Sequence, residues 1–116
     1  MSEHVYKICS AFDWERAQRE GEFPAVGLDA EDGFVHLSAP DQVRATARTH
    51  FGGVEGLVLL TVSAERIEPG RLRWETSRGG ASFPHLYGKL RPAHITRVDP
   101  MPLGNDGQHE LPEAVA

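Results

Sequence analysis

Two short segments place histidines among hydroxyl and aromatic residues. Residues 33–38 read Gly-Phe-Val-His-Leu-Ser, and residues 83–88 read Phe-Pro-His-Leu-Tyr-Gly. Because alternate side chains of a strand point to opposite faces, His36 shares a face with Ser38, and His85 shares one with Phe83 and Tyr87. A face that carries imidazole, hydroxyl and aromatic groups is typical of a ligand site or an acid/base site.

His36 is the strongest single candidate for chemistry. We expect it just before the start of a helix, where backbone N–H groups and the positive end of the helix dipole suit an anion. Its imidazole could there bind a ribose hydroxyl or a phosphate, or transfer a proton near neutral pH. Ser38 is a ligand-binding candidate beside it. The alternative is structural: His36 ties a strand end to a backbone carbonyl, and Ser38 caps the helix.

The second segment offers stacking surfaces. Tyr87 or Phe83 can stack on an aromatic ring or a sugar while His85 supplies a polar contact. The structural alternative is a core aromatic pair at a sheet edge, with His85 satisfied by backbone groups.

A third segment, residues 73–78, adds charged side chains before two glycines. Strand alternation separates Trp74 from Glu75, so Glu75 could point into a pocket as a general base or a hydroxyl-binding group. Arg78 could contact an anion from a mobile loop. A surface ion pair is an equally ordinary use of these charges.

The elements that position these residues follow from apolar patterning and turn signals. Strands are predicted over residues 5–9, 34–37, 56–62, 72–75, 83–87 and 95–98, and helices over 13–20 and 41–50. The unbroken apolar run at 56–62 indicates a central strand. Residues 21–32 are predicted as a loop whose acidic run, 29–32, forms a solvated turn. This order favours an α+β domain over residues 1–103 and a loose tail over 104–116.

The composition of the chain limits the classes of binding partner that are expected. The chain has 116 residues, a net charge of −5 and no basic run, which disfavours nucleic acid and anionic membranes and favours a small-molecule ligand. Its single cysteine, Cys9, excludes an intramolecular disulfide and is typical of a cytoplasmic protein; we expect it to be a buried small hydrophobe. No apolar run reaches the length of a membrane span, and no Cys/His cluster predicts a metal site.

Several segments together resemble one family. They are residues 5–8, Trp14 with Ala17 and Gly21, and residues 32–38, 57–62, 72–75 and 83–88. Over roughly residues 4–103 the chain resembles the DUF952 family of small bacterial proteins of unknown function. The description of that family names no reaction.

More distantly, the order of elements is similar to the ADP-ribosyltransferase-like fold, in particular its RNA 2'-phosphotransferase branch. The matching features are Val-His-Leu-Ser at 35–38, the helix after it, an apolar strand over 57–64 and the later strands. The resemblance implies a split, mostly antiparallel sheet around a cleft that in relatives holds NAD or an ADP-ribosylated intermediate. Relatives commonly carry a histidine followed by glycine on the first strand, where this chain has Tyr6, Lys7 and Ile8, so the cofactor stays open, with NAD as one choice.

Two functions remain open. In the first, the protein binds or transforms a nucleotide-like or ADP-ribose-like molecule; as an enzyme it would be a transferase related to ADP-ribosyl or phosphoryl transfer. The catalytic candidates are then His36, Glu75 and His85, and the ligand-binding candidates are Ser38, Arg78, Phe83 and Tyr87. In the second, it is a non-catalytic binding or interaction module that lacks the first-strand histidine. The oligomeric state stays open.

Overall fold

Six strands form two antiparallel three-stranded sheets. The computed structural model describes residues 3–24, 27–76 and 78–115, without the side chains of Leu28 and Arg78. Its strands are β1 (His4–Ser10), β2 (Val35–His36), β3 (Leu57–Ser63), β4 (Leu72–Thr76), β5 (Ser82–Leu86) and β6 (Ile95–Pro100). The first sheet has the order β1-β3-β6 and the second the order β2-β5-β4. The predicted α+β class with a split antiparallel sheet is confirmed.

Three α-helices join these strands: α1 (Ala11–Glu20), α2 (Gly27–Asp32) and α3 (Val43–Phe51). The Ser10 hydroxyl caps α1 by accepting a hydrogen bond from the Asp13 N–H at 3.0 Å. Gly21 ends this helix with a φ of 83°, a left-handed conformation that glycine adopts without a steric penalty. The helix end predicted at Gly21 is therefore confirmed.

The loop predicted over residues 21–32 is wrong in its second half, which forms α2. The acidic run at 29–32 is consequently part of a helix and not a solvated turn. Asp29 in it has a side chain only 11% exposed. A helix of six residues is too short to be stable through propensity alone, so its tertiary contacts hold it, and a local sequence pattern does not display them.

The helix predicted over residues 41–50, with Ser38 as its possible N-cap, begins at Val43. A 3-10 turn over Pro40–Gln42 precedes α3, and Ala39 is the residue before that turn. Ser38 instead exchanges two backbone hydrogen bonds with Tyr6, and its buried hydroxyl lies 3.1 Å from that of Thr46. Ser38 thus links the second sheet to the first, and the capping role expected for it is wrong.

The predicted central strand is confirmed as β3, which lies between β1 and β6. Leu59, Leu60 and Val62 on it are fully buried. One core cluster packs α3 on the first sheet, and a second lies between the sheets, with Val62 from one and Leu86 from the other. Burying each such side chain stabilises the fold by about 1.5–3 kcal/mol.

The segment after residue 103 has contacts along its described length. Leu103 pairs with His109 in an isolated bridge, and Val115 is buried in the cluster around α3. The division of the chain at residue 103 stays a prediction.

Cys9 is buried, as expected, and burial raises the pKa of its thiol to about 12. In the described part of the chain, each helix is too short or too polar to cross a membrane.

Candidate functional site

The second sheet has one apolar face and one polar face. Val35, Leu86 and Leu72 are aligned across β2, β5 and β4 and pack into the core between the sheets. The next residues in register are His36, His85 and Arg73, which by alternation lie on the opposite face. This paired register brings the two histidine segments together, with ring centroids 5.6 Å apart.

His85, Glu75 and Tyr87 form one hydrogen-bonded group on that face. A single oxygen of Glu75, Oε1, accepts from the Tyr87 hydroxyl at 2.6 Å and lies 2.9 Å from His85 Nδ1. The hydrogen bonds from Tyr87 and His85 hold the pKa of Glu75 below its usual value, and the first of them raises the pKa of Tyr87. An ionised Glu75 can only accept, so Nδ1 of His85 carries the hydrogen.

His36 lies between two aspartates. Its Nδ1 is 2.6 Å from Asp29 Oδ1, and its Nε2 is 3.0 Å from Asp32 Oδ2. Asp29 also accepts the backbone N–H of His36 and pairs with Lys7 Nζ at 2.7 Å. Burial alone would raise the pKa of Asp29, but Lys7 and the two hydrogen bonds from His36 outweigh it and lower that pKa. The anion expected at the His36 backbone is therefore the protein's own Asp29.

Phe34 covers the middle of the polar face. Its ring centroid lies 4.1 Å from that of His85, 4.6 Å from that of His36 and 5.2 Å from that of Tyr87. On the far side, the Arg73 guanidinium lies 5.0 Å from the centre of the Tyr87 ring, a cation–π distance. His85 is buried beneath these neighbours, whereas His36 is half-exposed.

We call this group the histidine face. It comprises Asp29, Asp32, Phe34, His36, Arg73, Glu75, His85 and Tyr87.

Three of the predicted site residues stand apart from the histidine face or cannot be assigned to it. Ser38 is buried against Thr46, between the sheets and α3. Phe83 pairs with Glu75 across β4 and β5 and is half-buried, but among the described residues its ring makes no aromatic contact with the others. The side chain of Arg78 lies outside the described part of the chain.

Sequence reasoning missed the residues that hold His36. Asp29 and Asp32 are three apart, which puts both carboxylates on one side of α2, but the sequence pattern of this segment predicts a turn and not a helix. Lys7 reaches Asp29 from β1, a contact over 22 positions that no local pattern reveals. Phe34 could have been found from the sequence, because it is two residues from His36 and so shares its face of the strand.

The structural alternatives for the two histidines are not observed. Both rings face carboxylates, and neither nitrogen of either ring is hydrogen-bonded to a backbone carbonyl in the described part of the chain. Two cavities lie away from the histidine face. One of about 430 Å³ is lined by Tyr6, Arg97 and Asp99, and one of about 230 Å³ lies beside Leu86 and Gly88.

Among the described residues, no group of three or more His, Cys, Asp and Glu side chains has the arrangement of a metal site.

The hydrogen-bond pattern defines what each histidine can do. His85 has its Nδ1 committed to Glu75, while its Nε2 has no hydrogen-bond partner among the described residues. A neutral ring held in this way presents a lone pair at Nε2, the arrangement of a general base oriented by a carboxylate. His36 faces carboxylates at both nitrogens, Asp29 at Nδ1 and Asp32 at Nε2.

Comparison with known proteins agrees with the resemblance found in the sequence. Residues 8–98 match the family described as protein of unknown function (DUF952). The crystal structure of protein CC0527 from Caulobacter crescentus superimposes with a TM-score of 0.87 at 44% identity, covering 93% of this chain and 94% of that one. Its solution NMR structure gives a TM-score of 0.81 at 45% identity, with 90% of each chain covered. No curated protein matches the sequence.

The chain therefore belongs to the DUF952 family, and its two-sheet α+β fold is that of CC0527.

Proposed function

We propose that the histidine face binds a small ring-containing molecule with hydroxyl groups, of nucleotide or ADP-ribose type, and that the split sheet is related to the ADP-ribosyltransferase-like fold. The observation that carries the proposal is the pairing of His36 with His85 across β2 and β5, each with Nδ1 at a carboxylate. Imidazoles fixed in this way are oriented groups, which ligand recognition and proton transfer both require.

The charge of the histidine face favours one part of such a ligand. Asp29, Asp32 and Glu75 supply three carboxylates, and Phe34 and Tyr87 supply aromatic surface. Carboxylates accept hydrogen bonds from sugar hydroxyls and attract a positively charged ring, and aromatic rings stack on either. The negative charge of the carboxylates repels phosphate groups. Arg73, and Lys7 through its ion pair with Asp29, offset part of this negative charge. The histidine face thus fits a ribose and a base or nicotinamide ring better than it fits the diphosphate of NAD.

If the protein is an enzyme, His85 is the residue best suited to move a proton. Glu75 positions its ring, and Nε2 is the atom that would accept the proton from a ligand hydroxyl. The same carboxylates would stabilise positive charge that develops on a sugar ring during transfer of an ADP-ribosyl group. This geometry supports the ligand-binding role of Tyr87. It does not support such a role for Ser38 or Phe83.

A non-catalytic binding module is the second candidate, and two observations favour it. Asp32 lies 3.0 Å from Nε2 of His36, and the Phe34 ring packs on His85, so side chains of the protein already contact both rings. A ligand would have to displace one of these side chains before chemistry could occur.

The test is a calorimetric titration of the folded protein with ADP-ribose, NAD, nicotinamide and AMP, combined with an assay for release of nicotinamide from NAD. Saturable binding that is lost in His36→Gln and kept in His50→Gln supports the proposal, because His50 lies exposed on α3. Turnover that is lost in Glu75→Gln while binding remains supports the enzyme, and binding without turnover supports the module. A folded protein that binds none of the four contradicts the proposal.

A further inference from the structure

A small cavity with a cationic rim lies on the other side of β5. It has a volume of about 230 Å³ and an apolar floor that includes the buried side chains of Ile67 and Leu86. Leu86 faces the core, whereas its neighbours His85 and Tyr87 face the opposite side of the sheet. The cavity is therefore separate from the histidine face, and its function does not depend on the function proposed there.

Its rim concentrates positive charge in an acidic protein. Arg71, Lys89 and Arg91 line the cavity, against a single carboxylate from Glu68. The whole chain carries a net charge of −5, so this rim has the opposite sign to the molecule. Its existing ion pairs are weak or peripheral: Arg71 Nε lies 3.9 Å from Glu68, and Lys89 is bound at 3.1 Å to Glu22, which is not in the lining.

His94 adds a neutral donor to this rim. Its Nδ1 accepts a hydrogen bond from the Arg91 backbone N–H at 3.1 Å, so the hydrogen of the neutral ring is on Nε2. Burial first, and then the charge of Arg91, lower the pKa of His94, which keeps the ring neutral near pH 7. Among the described residues, Nε2 has no hydrogen-bond partner, and it is free to donate to a ligand oxygen.

We propose that this cavity is a binding site for the phosphate group of a small molecule. Phosphate has several acceptor oxygens and more than one negative charge, which match two guanidinium groups, an ammonium and an imidazole N–H. Arginine binds such oxygens through paired N–H groups, and lysine contributes a point charge. Of the three cations, Arg71 pairs with Glu68 and Lys89 with Glu22, and a bound phosphate would take the place of these carboxylates.

The experiment is a titration of the folded chain with inorganic phosphate at constant ionic strength, followed by two-dimensional ¹H–¹⁵N NMR. We expect saturable shifts that are largest around residues 67–71 and 86–94. Arg91→Gln should weaken phosphate binding about tenfold or more, because a charge-assisted hydrogen bond is lost. Lys89→Gln should also weaken it, whereas Glu68→Gln should strengthen it by removing the opposing charge.

Arg16→Gln is the matched control. It removes the same charge from a half-exposed arginine on α1, which pairs with Glu20 at 2.8 Å and is not among the residues that line the cavity. Phosphate affinity within about twofold of the wild type is expected for it. An equal loss in Arg16→Gln and Arg91→Gln would show general charge attraction and overturn the proposal. So would a wild-type protein whose spectrum does not change in a saturable way.

Discussion

At the scale of single residues, the chemistry of the histidine face depends on which atoms are already committed. Glu75 Oε1 accepts from Tyr87 and from His85, and this shared acceptor sets the tautomer of the imidazole. Asp29 acts in the same way on His36 with a carboxylate of lowered pKa. The two histidines differ at Nε2. In His36 this atom lies near Asp32, whereas in His85 it has no hydrogen-bond partner in the described part of the chain.

Removing one hydroxyl tests this arrangement. In Tyr87→Phe we expect the pKa of Glu75 to rise, because the hydrogen bond from Tyr87 is the largest cause of its lowering. The measurement is the carboxyl ¹³C shift of Glu75 followed over an acid titration. Tyr6→Phe is the matched control, since Tyr6 is the other tyrosine of the chain and lies in the first sheet. If the titration midpoint of Glu75 does not move in Tyr87→Phe, the hydrogen bond from Tyr87 is not the cause of its lowered pKa.

The candidate residues could be predicted where they follow from local alternation. His36, Glu75, His85 and Tyr87 came from strand patterning, and the structure brings all four together. Ser38 did not join them, because its hydroxyl faces the buried space between sheet and helix. The partners that orient His36 were missed, since the contact between Lys7 and Asp29 is set by tertiary packing and not by neighbouring residues.

At the scale of elements, the short helix α2 and the turn after it position His36. Gly33 has a φ of 80°, and its N–H donates to the Asp29 carbonyl at 3.0 Å, so the chain reverses directly into Phe34 and β2. This turn is what lets Asp29 and Asp32 face the imidazole that follows them. The strand it leads into has only two residues, so the turn matters more to the position of His36 than ladder pairing does.

Replacing Gly33 with alanine tests the backbone conformation of this turn apart from its packing. Nothing lies within 4 Å of a Cβ added at Gly33, so Gly33→Ala changes little except the strain of a left-handed alanine. We expect the free energy of unfolding to fall by about 1 kcal/mol. Gly88→Ala is the control: its φ is not positive, its Cβ would meet Arg71 at an ordinary 3.8 Å, and no loss is expected. Urea unfolding measures both, and equal stability in the two variants would show that the turn tolerates alanine.

The strands were predictable because their apolar alternation and turn residues are local signals. The apolar run that gives β3 and the segments that give β4 and β5 lie within one or two residues of the observed bounds. The helix α2 was not predictable in this way, because a six-residue segment that contains glycine and three acidic residues lacks helical periodicity. Asp29 in this helix pairs with Lys7 and His36, and Lys7 lies 22 residues away, where the local sequence pattern does not identify it as a neighbour.

At the scale of the whole molecule, an apolar core joins the two sheets, and an ion pair joins β1 of the first sheet to α2. Val5 and Val62 of the first sheet pack in one cluster with Leu86 of the second sheet and with Leu37, which follows β2. Lys7 on β1, two residues from Val5, extends this connection to Asp29 and through it to His36. The charged link therefore couples the histidine face to the integrity of the fold, and the stability of the molecule should report the protonation of Asp29.

The pH dependence of unfolding tests that coupling. The pKa of Asp29 is lowered in the folded protein from its usual 3.8, so its charge stabilises the fold above that pH, and the contribution is lost as pH falls through the folded pKa. Asp29→Asn should cost roughly 2 kcal/mol at pH 7 and progressively less below pH 4. Urea unfolding of both proteins from pH 7 to pH 2 gives the difference. Glu31→Gln, an exposed carboxylate on the same helix with no ion pair among the described residues, should show a small difference at every pH. A deficit of Asp29→Asn that persists unchanged at the lowest pH would mean that packing, and not the charge shared with Lys7, is what Asp29 contributes.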